Sequence, residues 1–180
     1  RTCKTTIIAL SDTEVGKIIA SNSKKQLLLE AEKLQYANSI NDLMVKFIRM
    51  DKFDSYNVMV MERLFPLQLH AFEYKKKMQY ERMFIEQLKQ LHSKGFTHGD
   101  LAMNTIVRGN RPYLSNLVLT LKGLRLVDAE LASLSDDVGE EMFHENIRQE
   151  LESLSAVKGF LFPNSENMAV TIPPPFLLRE

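Results

Sequence analysis

The sequence predicts an α+β fold, and three observations carry that reading. Short β-prone segments open the chain: Thr5-Thr6-Ile7-Ile8-Ala9-Leu10, then Glu14-Val15-Gly16-Lys17-Ile18-Ile19-Ala20 after the turn signal Ser11-Asp12-Thr13. Apolar residues at helical spacing follow: Leu27, Ala31 and Leu34 in one segment, and Tyr80, Phe84, Leu88 and Leu91 in another. Further apolar segments bounded by turns lie between and after these, with no internal repeat.

The totals narrow the function classes. A chain of 180 residues is one domain, or two small lobes sharing a cleft. Lys plus Arg and Asp plus Glu both number 23, so the formal net charge is zero; dedicated nucleic-acid binders are usually basic, and no nucleic-acid partner is expected. Cys3 is the single cysteine, which leaves no intrachain disulfide and no zinc-ligand spacing and points to a reducing compartment. No apolar run approaches the roughly 20 residues of a membrane span. The chain opens on Arg1 and residues 1–10 lack signal-peptide form, so the expected location is the cytoplasm, or a host cytoplasm after delivery.

In order along the chain, alternation on the second strand puts Val15, Lys17 and Ile19 on one face. A lysine between two apolar neighbours must reach water, as on an edge strand, or an anion. Ser21-Asn22-Ser23 supplies N-cap candidates for a helix over 24–37, with Glu30 beside its inward stripe. Segments 43–48 and 56–61 are expected to pair antiparallel around the turn Asp51-Lys52-Phe53-Asp54-Ser55. Pro66 marks a crossing, Lys75-Lys76-Lys77 reads as a solvated face, and a helix over 78–93 ends toward Gly95.

The stretch from Leu91 to Val107 is the most informative. It reads as a helix end, a turn at Gly95, a short strand into His98, a polar loop and a new apolar strand. Asp100 stands at the mouth of the loop, between two apolar segments, and a rigid scaffold around a polar loop is how proteins hold catalytic groups. After a turn at Arg108-Gly109-Asn110-Arg111-Pro112 come an apolar segment over 113–120, a turn at Lys122-Gly123, and Leu124-Arg125-Leu126-Val127-Asp128-Ala129-Glu130. Asp136-Asp137 caps one long helix over 137–158, with Ile147, Leu151, Leu154 and Leu161 as its stripe and Gly159 as its stop. Pro173-Pro174-Pro175-Phe176 reads as surface polyproline.

The wording Leu91-His92-Ser93-Lys94-Gly95-Phe96-Thr97-His98-Gly99-Asp100-Leu101, with Ile106-Val107 after it, resembles the catalytic loop of the protein-kinase-like superfamily, usually His-Arg-Asp-Leu-x-x-x-Asn. Gly after the His is the form seen in atypical members: RIO-type kinases, aminoglycoside phosphotransferases and small bacterial effector kinases. Asn57-Val58-Met59-Val60-Met61-Glu62-Arg63-Leu64 resembles the family's fifth strand and hinge. Leu124-Arg125-Leu126-Val127-Asp128 resembles the strand before the metal-binding Asp, with Asp-Ala-Glu where Asp-Phe-Gly is usual.

The resemblance implies a reduced bilobal kinase-like fold. Its N-lobe would span 1–64, a small antiparallel sheet with one helix and the hinge at its end. Its mainly helical C-lobe would span 65–180 and carry the catalytic loop, the metal-binding strand and a C-terminal helix. Little or no activation segment is implied, because few residues follow Glu130 before the last helix and no Ala-Pro-Glu is present. The segment from the loop to Asp128 exceeds the family norm, implying an enlarged hairpin over 108–124.

By the same resemblance Asp100 is the catalytic base and Lys17 holds ATP phosphates, oriented by Glu30, with Glu32 as runner-up. Met61 is the gatekeeper, and the Glu62 carbonyl and the Leu64 N–H and carbonyl face adenine. Asp128 binds Mg2+, assisted by Asn104 or Thr105. Asn104 stands one residue early and Thr105 is in phase but a poorer ligand; Asn104 is preferred, with Glu130 as a compensating oxygen. No glycine-rich loop is visible before Lys17. The implied activity is ATP-dependent phosphoryl transfer to Ser or Thr of a protein substrate, with ATP and Mg2+ required and a partner protein completing a reduced substrate platform. The alternatives are a pseudokinase acting as an interaction module and, third, a small-molecule phosphotransferase.

Overall fold

A computed structural model describes residues 5–19, 23–101 and 114–162. It is an α+β structure: a small antiparallel sheet and several helices. Strands β1 (Thr5–Ala9), β2 (Glu14–Ile19), β3 (Phe47–Phe53) and β4 (Tyr56–Glu62) form one sheet in the order β1-β2-β4-β3. Helix α1 (Lys24–Ile40) crosses between β2 and β3. The register pairs Val15 with Met61 and Lys17 with Met59, so these four side chains share one face of the sheet. Asp54, at φ 51°, turns β3 into β4.

Helix α1 starts where Ser23 accepts a hydrogen bond from the Gln26 N–H, an N-cap that satisfies one of the free amides of a first turn. Its buried stripe is Leu27, Glu30, Ala31, Leu34 and Ala37, the spacing of one helix face. The helix runs three residues past the expected end at 37. It stops at the extended Asn41, whose side chain donates to the Gln87 carbonyl.

The expected strand over 43–48 is a correction. Strand β3 begins at Phe47, and the buried residues Leu43, Met44 and Val45 turn away from the sheet. Val45 N–H donates to the Leu126 carbonyl at 2.7 Å and Leu126 N–H to the Leu43 carbonyl at 2.8 Å, a parallel bridge to a different strand. Asn38 holds the departure: its amide group donates to the Met44 and Val45 carbonyls and accepts from Phe47 N–H.

Helix α2 (Tyr74–Ser93) takes in Lys75, Lys76 and Lys77 and buries Tyr80, Phe84, Leu88, Leu91 and His92. Strands β6 (Leu117–Thr120) and β7 (Gly123–Leu126) form a hairpin against it, tied by the Tyr80 hydroxyl donating to the Leu121 carbonyl. The hairpin therefore lies at 117–126, inside the later part of the 108–124 expectation and beyond it. Short β5 (Phe96–Thr97) pairs with β8 (Ser133–Leu134).

The single helix expected over 137–158 is also a correction. Three helices occupy the region: α3 (Ser135–Val138), α4 (Glu140–Glu152) and α5 (Leu154–Leu161). Gly139, at φ 79°, breaks α3 from α4 in a conformation that glycine adopts without steric cost. At Ser153 the side-chain hydroxyl donates to the Glu150 carbonyl, and the chain restarts as α5. Gly159 lies within α5 rather than ending it, and Leu151 is exposed rather than part of the stripe. One apolar core runs from Ile19, Leu27 and Leu34 through Met44, Met59 and Met61 to Phe84, Leu126 and Phe160. Among the described residues no helix is long and apolar enough to cross a membrane.

The face assignment of α1 can be checked by substitution. Leu34→Ala is expected to lower stability by about 2–5 kcal/mol, and Leu29→Ala, on the exposed face, by less than about 0.5 kcal/mol. Urea midpoints of the two variants measure the difference.

Candidate functional site

The site is built around Lys17. Its strand places it on the inner face of the sheet, and the chain beside it is held close. A Cβ on Gly16 would stand 2.6 Å from Val58 Cγ1, so only glycine lets β2 and β4 pack this way. The Lys17 ammonium is buried and donates to Glu30 Oε1 at 2.7 Å and to Asp128 Oδ1 at 2.8 Å. A buried ammonium without partners would be costly, and here two carboxylates satisfy it. Glu30, not the exposed Glu32, reaches it, because Glu30 belongs to the buried stripe of α1.

Glu30 Oε1 also accepts the Ala129 N–H at 3.3 Å, and Lys33 donates to the Glu130 carbonyl at 3.0 Å. Helix α1 is thus tied to the turn that carries Asp128. That turn is unusual. Asp128 has φ 66°, in the left-handed region where a non-glycine residue is uncommon and Asp is better tolerated than most. Its Oδ1 accepts the Glu130 N–H at 3.3 Å, a side-chain bond to the backbone two residues on that stabilises such a turn. The Asp128 side chain is 42% exposed, so the trio is reachable from solvent on that side.

The charges respond to this arrangement. Burial raises the pKa of Glu30, and the Lys17 ammonium only partly offsets it. Burial pushes Asp128 the same way, but Lys17, its hydrogen bond, the Glu130 N–H and His98 outweigh it and hold the carboxyl below 3.8. Burial works against the charge of Lys17, yet Glu30 and Asp128 together raise its pKa above 10.5.

The segment with Asp100 is tied to Val127, the residue before Asp128, through His98 and Asn116. His98 is fully buried; its Nε2 donates to the Val127 carbonyl at 3.0 Å, and its Nδ1 accepts the Asp100 N–H at 3.3 Å. Gly99 has φ 77°, and a Cβ there would stand 2.1 Å from the Leu131 carbonyl oxygen. The glycine between His98 and Asp100 is therefore imposed by the close approach of the chain that follows Asp128.

Asp100 Oδ2 accepts from the side-chain amide of Asn116 at 2.9 Å. Asn116 was missed by sequence reasoning. Its main-chain carbonyl accepts the Val127 N–H at 3.0 Å, which fixes it beside both Asp100 and the strand leading to Asp128. The available signal was an Asn directly before an apolar run, Asn116-Leu117-Val118-Leu119. Ile106-Val107, nearer to Asp100, matches the expected apolar run first and directs the expectation to Asn104 and Thr105. Asn104 and Thr105 lie outside the described residues, as does the polyproline stretch at Pro173.

Met61, Glu62 and Leu64 line the end of β4. Met61 is buried on the inner face with Val15. The Glu62 carboxylate accepts the Lys46 N–H at 2.8 Å and pairs with the buried Arg125, which also donates to the Met44 carbonyl. Leu64 is half-buried, and among the described residues its main-chain N–H and carbonyl make no hydrogen bond. Glu130 presents its main chain to Asp128 and Lys33, while the residue as a whole is exposed.

Among the described residues, no cluster of three or more His, Cys, Asp or Glu side chains is arranged for a metal ion. Within the trio the part-exposed Asp128 carboxylate is a hard oxygen donor of the kind a magnesium ion takes alongside water and phosphate, and the Asn116 side chain lies beside Asp100. No protein-family model matches the chain, and no curated protein matches it in sequence.

Two outcomes are expected. Gly99→Ala should cost about 1–3 kcal/mol from backbone conformation alone, with the Leu131 contact added, as read by urea unfolding. The depressed pKa of Asp128 means its ionised form stabilises the fold above the unfolded value of 3.8, and that contribution is lost as pH falls through the folded value. The stability difference between the parent and Asp128→Asn should therefore be full near neutral pH and shrink below 3.8. Denaturation at a series of pH values tests this.

Proposed function

We propose that the chain is a compact atypical protein kinase with a reduced bilobal kinase-like fold, moving the γ-phosphoryl group of ATP to a Ser or Thr hydroxyl of a protein. The observation that carries this reading is the Glu30–Lys17–Asp128 trio, with Asp100 tied through its neighbours His98 and Asn116 to Val127, the residue before Asp128. Its elements stand in the order the family uses: strand lysine, helix glutamate, hinge, loop aspartate, strand-end aspartate. In this reading 1–64 is the N-lobe and 65–180 the C-lobe.

Each group then has a role. Lys17, kept oriented by Glu30, would hold the ATP phosphates, and the Asp128 carboxylate would hold a magnesium ion. Asn116, beside Asp100, would offer a second protein oxygen for that ion; Asn104 and Thr105, which the resemblance implies for this role, lie outside the described residues. Bound magnesium would neutralise charge on the phosphate oxygens. Asp100, oriented by the Asn116 amide, accepts the proton of the attacking hydroxyl as its oxygen bonds to the γ-phosphorus and ADP leaves. The protein's own contribution is position and fixed charge. The Leu64 main chain, with its N–H and carbonyl unpaired among the described residues, suits the edge of adenine.

The chain between Glu130 and α3 supports a kinase without a phosphorylation-controlled activation segment. Only residues 131–134 intervene, and β8 within them pairs with β5. A platform so short leaves recognition of the protein substrate to other surfaces or to a partner.

The direct Lys17–Asp128 pair favours a second reading: an interaction module that holds its own lysine and transfers nothing. Transfer assays separate the two. With radiolabelled ATP and magnesium, the parent should phosphorylate itself or a protein substrate. Asp100→Asn should lower the rate by roughly 10²–10⁴ with nucleotide affinity little changed. Asn116→Ala should raise the magnesium needed for half-maximal rate, and Lys17→Ala should weaken nucleotide use. A parent that transfers nothing, or an Asp100→Asn variant as fast as the parent, overturns the reading.

A further inference from the structure

Helix α2 packs Tyr80, Phe84, Leu88 and Leu91 into the core. A second stripe at helical spacing lies on another side of it: Tyr74, Met78, Ile85 and Lys89. Tyr74 is 70% exposed and Met78 38% exposed. Met78, Glu81, Arg82, Ile85, Glu86 and Lys89 line an open groove of about 430 Å³ along this stripe.

The chain delivers its own occupant to the head of that groove. Phe162, directly after α5, sets its ring 5.2 Å from the ring of Tyr74, the first residue of α2. The segment 163–180 starts from that point. It carries Pro173-Pro174-Pro175, then Phe176-Leu177-Leu178, then Arg179-Glu180. The helix presents a matching series: the exposed Tyr74 ring, the apolar Met78 and Ile85, then Glu86 and Lys89. Aromatic side chains are a common seat for polyproline. The charges complement each other in order, acid before base on α2 and base before acid on the segment.

We propose that residues 173–180 lie in this groove and run parallel to α2. Pro173-Pro174-Pro175 rest on Tyr74, Phe176-Leu177-Leu178 cover Met78 and Ile85, and Arg179 and Glu180 pair with Glu86 and Lys89. The lengths agree. Helical rise puts Lys89 about 22 Å beyond Tyr74, and a polyproline-like chain carries Glu180 about 19 Å beyond Pro174, a difference that side chains span. Residues 163–172 reach up to roughly 30 Å, ample for the return to Tyr74. Tethering selects the occupant: a short linker holds the segment at an effective concentration of order mM, so it outcompetes a second copy present at lower concentration. The stiff prolines lose little freedom on docking. None of this depends on the kinase reading.

Chymotrypsin cuts after Phe176 and Leu177 and reads the docking, because cleavage of a segment that opens and closes rapidly tracks its open population. A synthetic peptide of residues 171–180 sets the undocked rate. The whole chain should be cut there about tenfold or more slowly than the peptide, at a rate independent of protein concentration. Met78→Glu, at an exposed position, should bring the rate within about twofold of the peptide while the urea midpoint holds. Glu86→Lys and Arg179→Glu should each speed cleavage about threefold or more, and the two together should restore the parent's protection. Each rate is taken against a peptide of the same sequence.

A parent cut as fast as the peptide overturns the proposal. Protection that rises with protein concentration overturns it in favour of a second copy in the groove. Protection that neither Met78→Glu nor Glu86→Lys lowers puts the segment elsewhere and also overturns it. Should Met78→Glu fail to fold, the Glu86–Arg179 exchange decides alone.

Discussion

The burial of one ammonium group governs this structure. Lys17 sits inside the protein on a strand between Val15 and Ile19, where it cannot reach bulk water along its own strand. Taking such a group out of water is tolerable only when opposite charge meets it at hydrogen-bond distance. Glu30 must then face inward, which sets the rotation of α1 about its axis. Asp128 must approach from the far side, which sets where β7 ends and how the chain turns after it. The left-handed backbone at Asp128, the Ala129 bond to Glu30 and the Lys33 bond to the Glu130 carbonyl are all consequences of bringing that second carboxylate in.

A second constraint operates on the loop with Asp100. Its carboxylate is held by Asn116, its amide by His98, and the preceding amide by Glu150. These partners come from three different parts of the chain, and none is an immediate neighbour in sequence except His98. Gly99 and Asp100 are therefore held by the scaffold behind them, and the narrow approach of Leu131 to Gly99 closes the remaining freedom.

How much of this could be read from the sequence depends on the range of the interaction. The α+β class, the strand around Lys17 and the inward face of α1 follow from local periodicity, and Glu30 rather than Glu32 follows from its place beside Leu27 and Leu34. Asp100, at the mouth of a polar stretch between two apolar segments, and Asp128, at the end of one, stand out as candidates through the motifs around them. The Asn116 bond to Asp100 was not legible, because it spans 16 positions of sequence and leaves no local trace. The start of β3 was misplaced because Asn38, on another element, decides where the chain leaves the core. Glu150 and His92 were invisible for the same reason: a polar residue on a helix face does not announce a partner 58 positions away in the chain. The break at Gly139 was open to view, but the acidic pair before it made a longer helix attractive.

Leu43, Met44 and Val45 hydrogen-bond to β7 rather than to the sheet whose strands flank them. Arg125, from that same strand, reaches back to the Met44 carbonyl and to Glu62. The seam between sheet and helices is thus stitched with main-chain bonds and a partly buried ion pair, over an apolar core that does not pause there. A chain divided after Leu64 would leave each fragment with an open hydrophobic face and orphaned backbone groups, so neither piece is a self-sufficient folding unit. Such a molecule is expected to melt as a single cooperative body, and its two fragments to serve as a complementation pair that gains structure only on meeting.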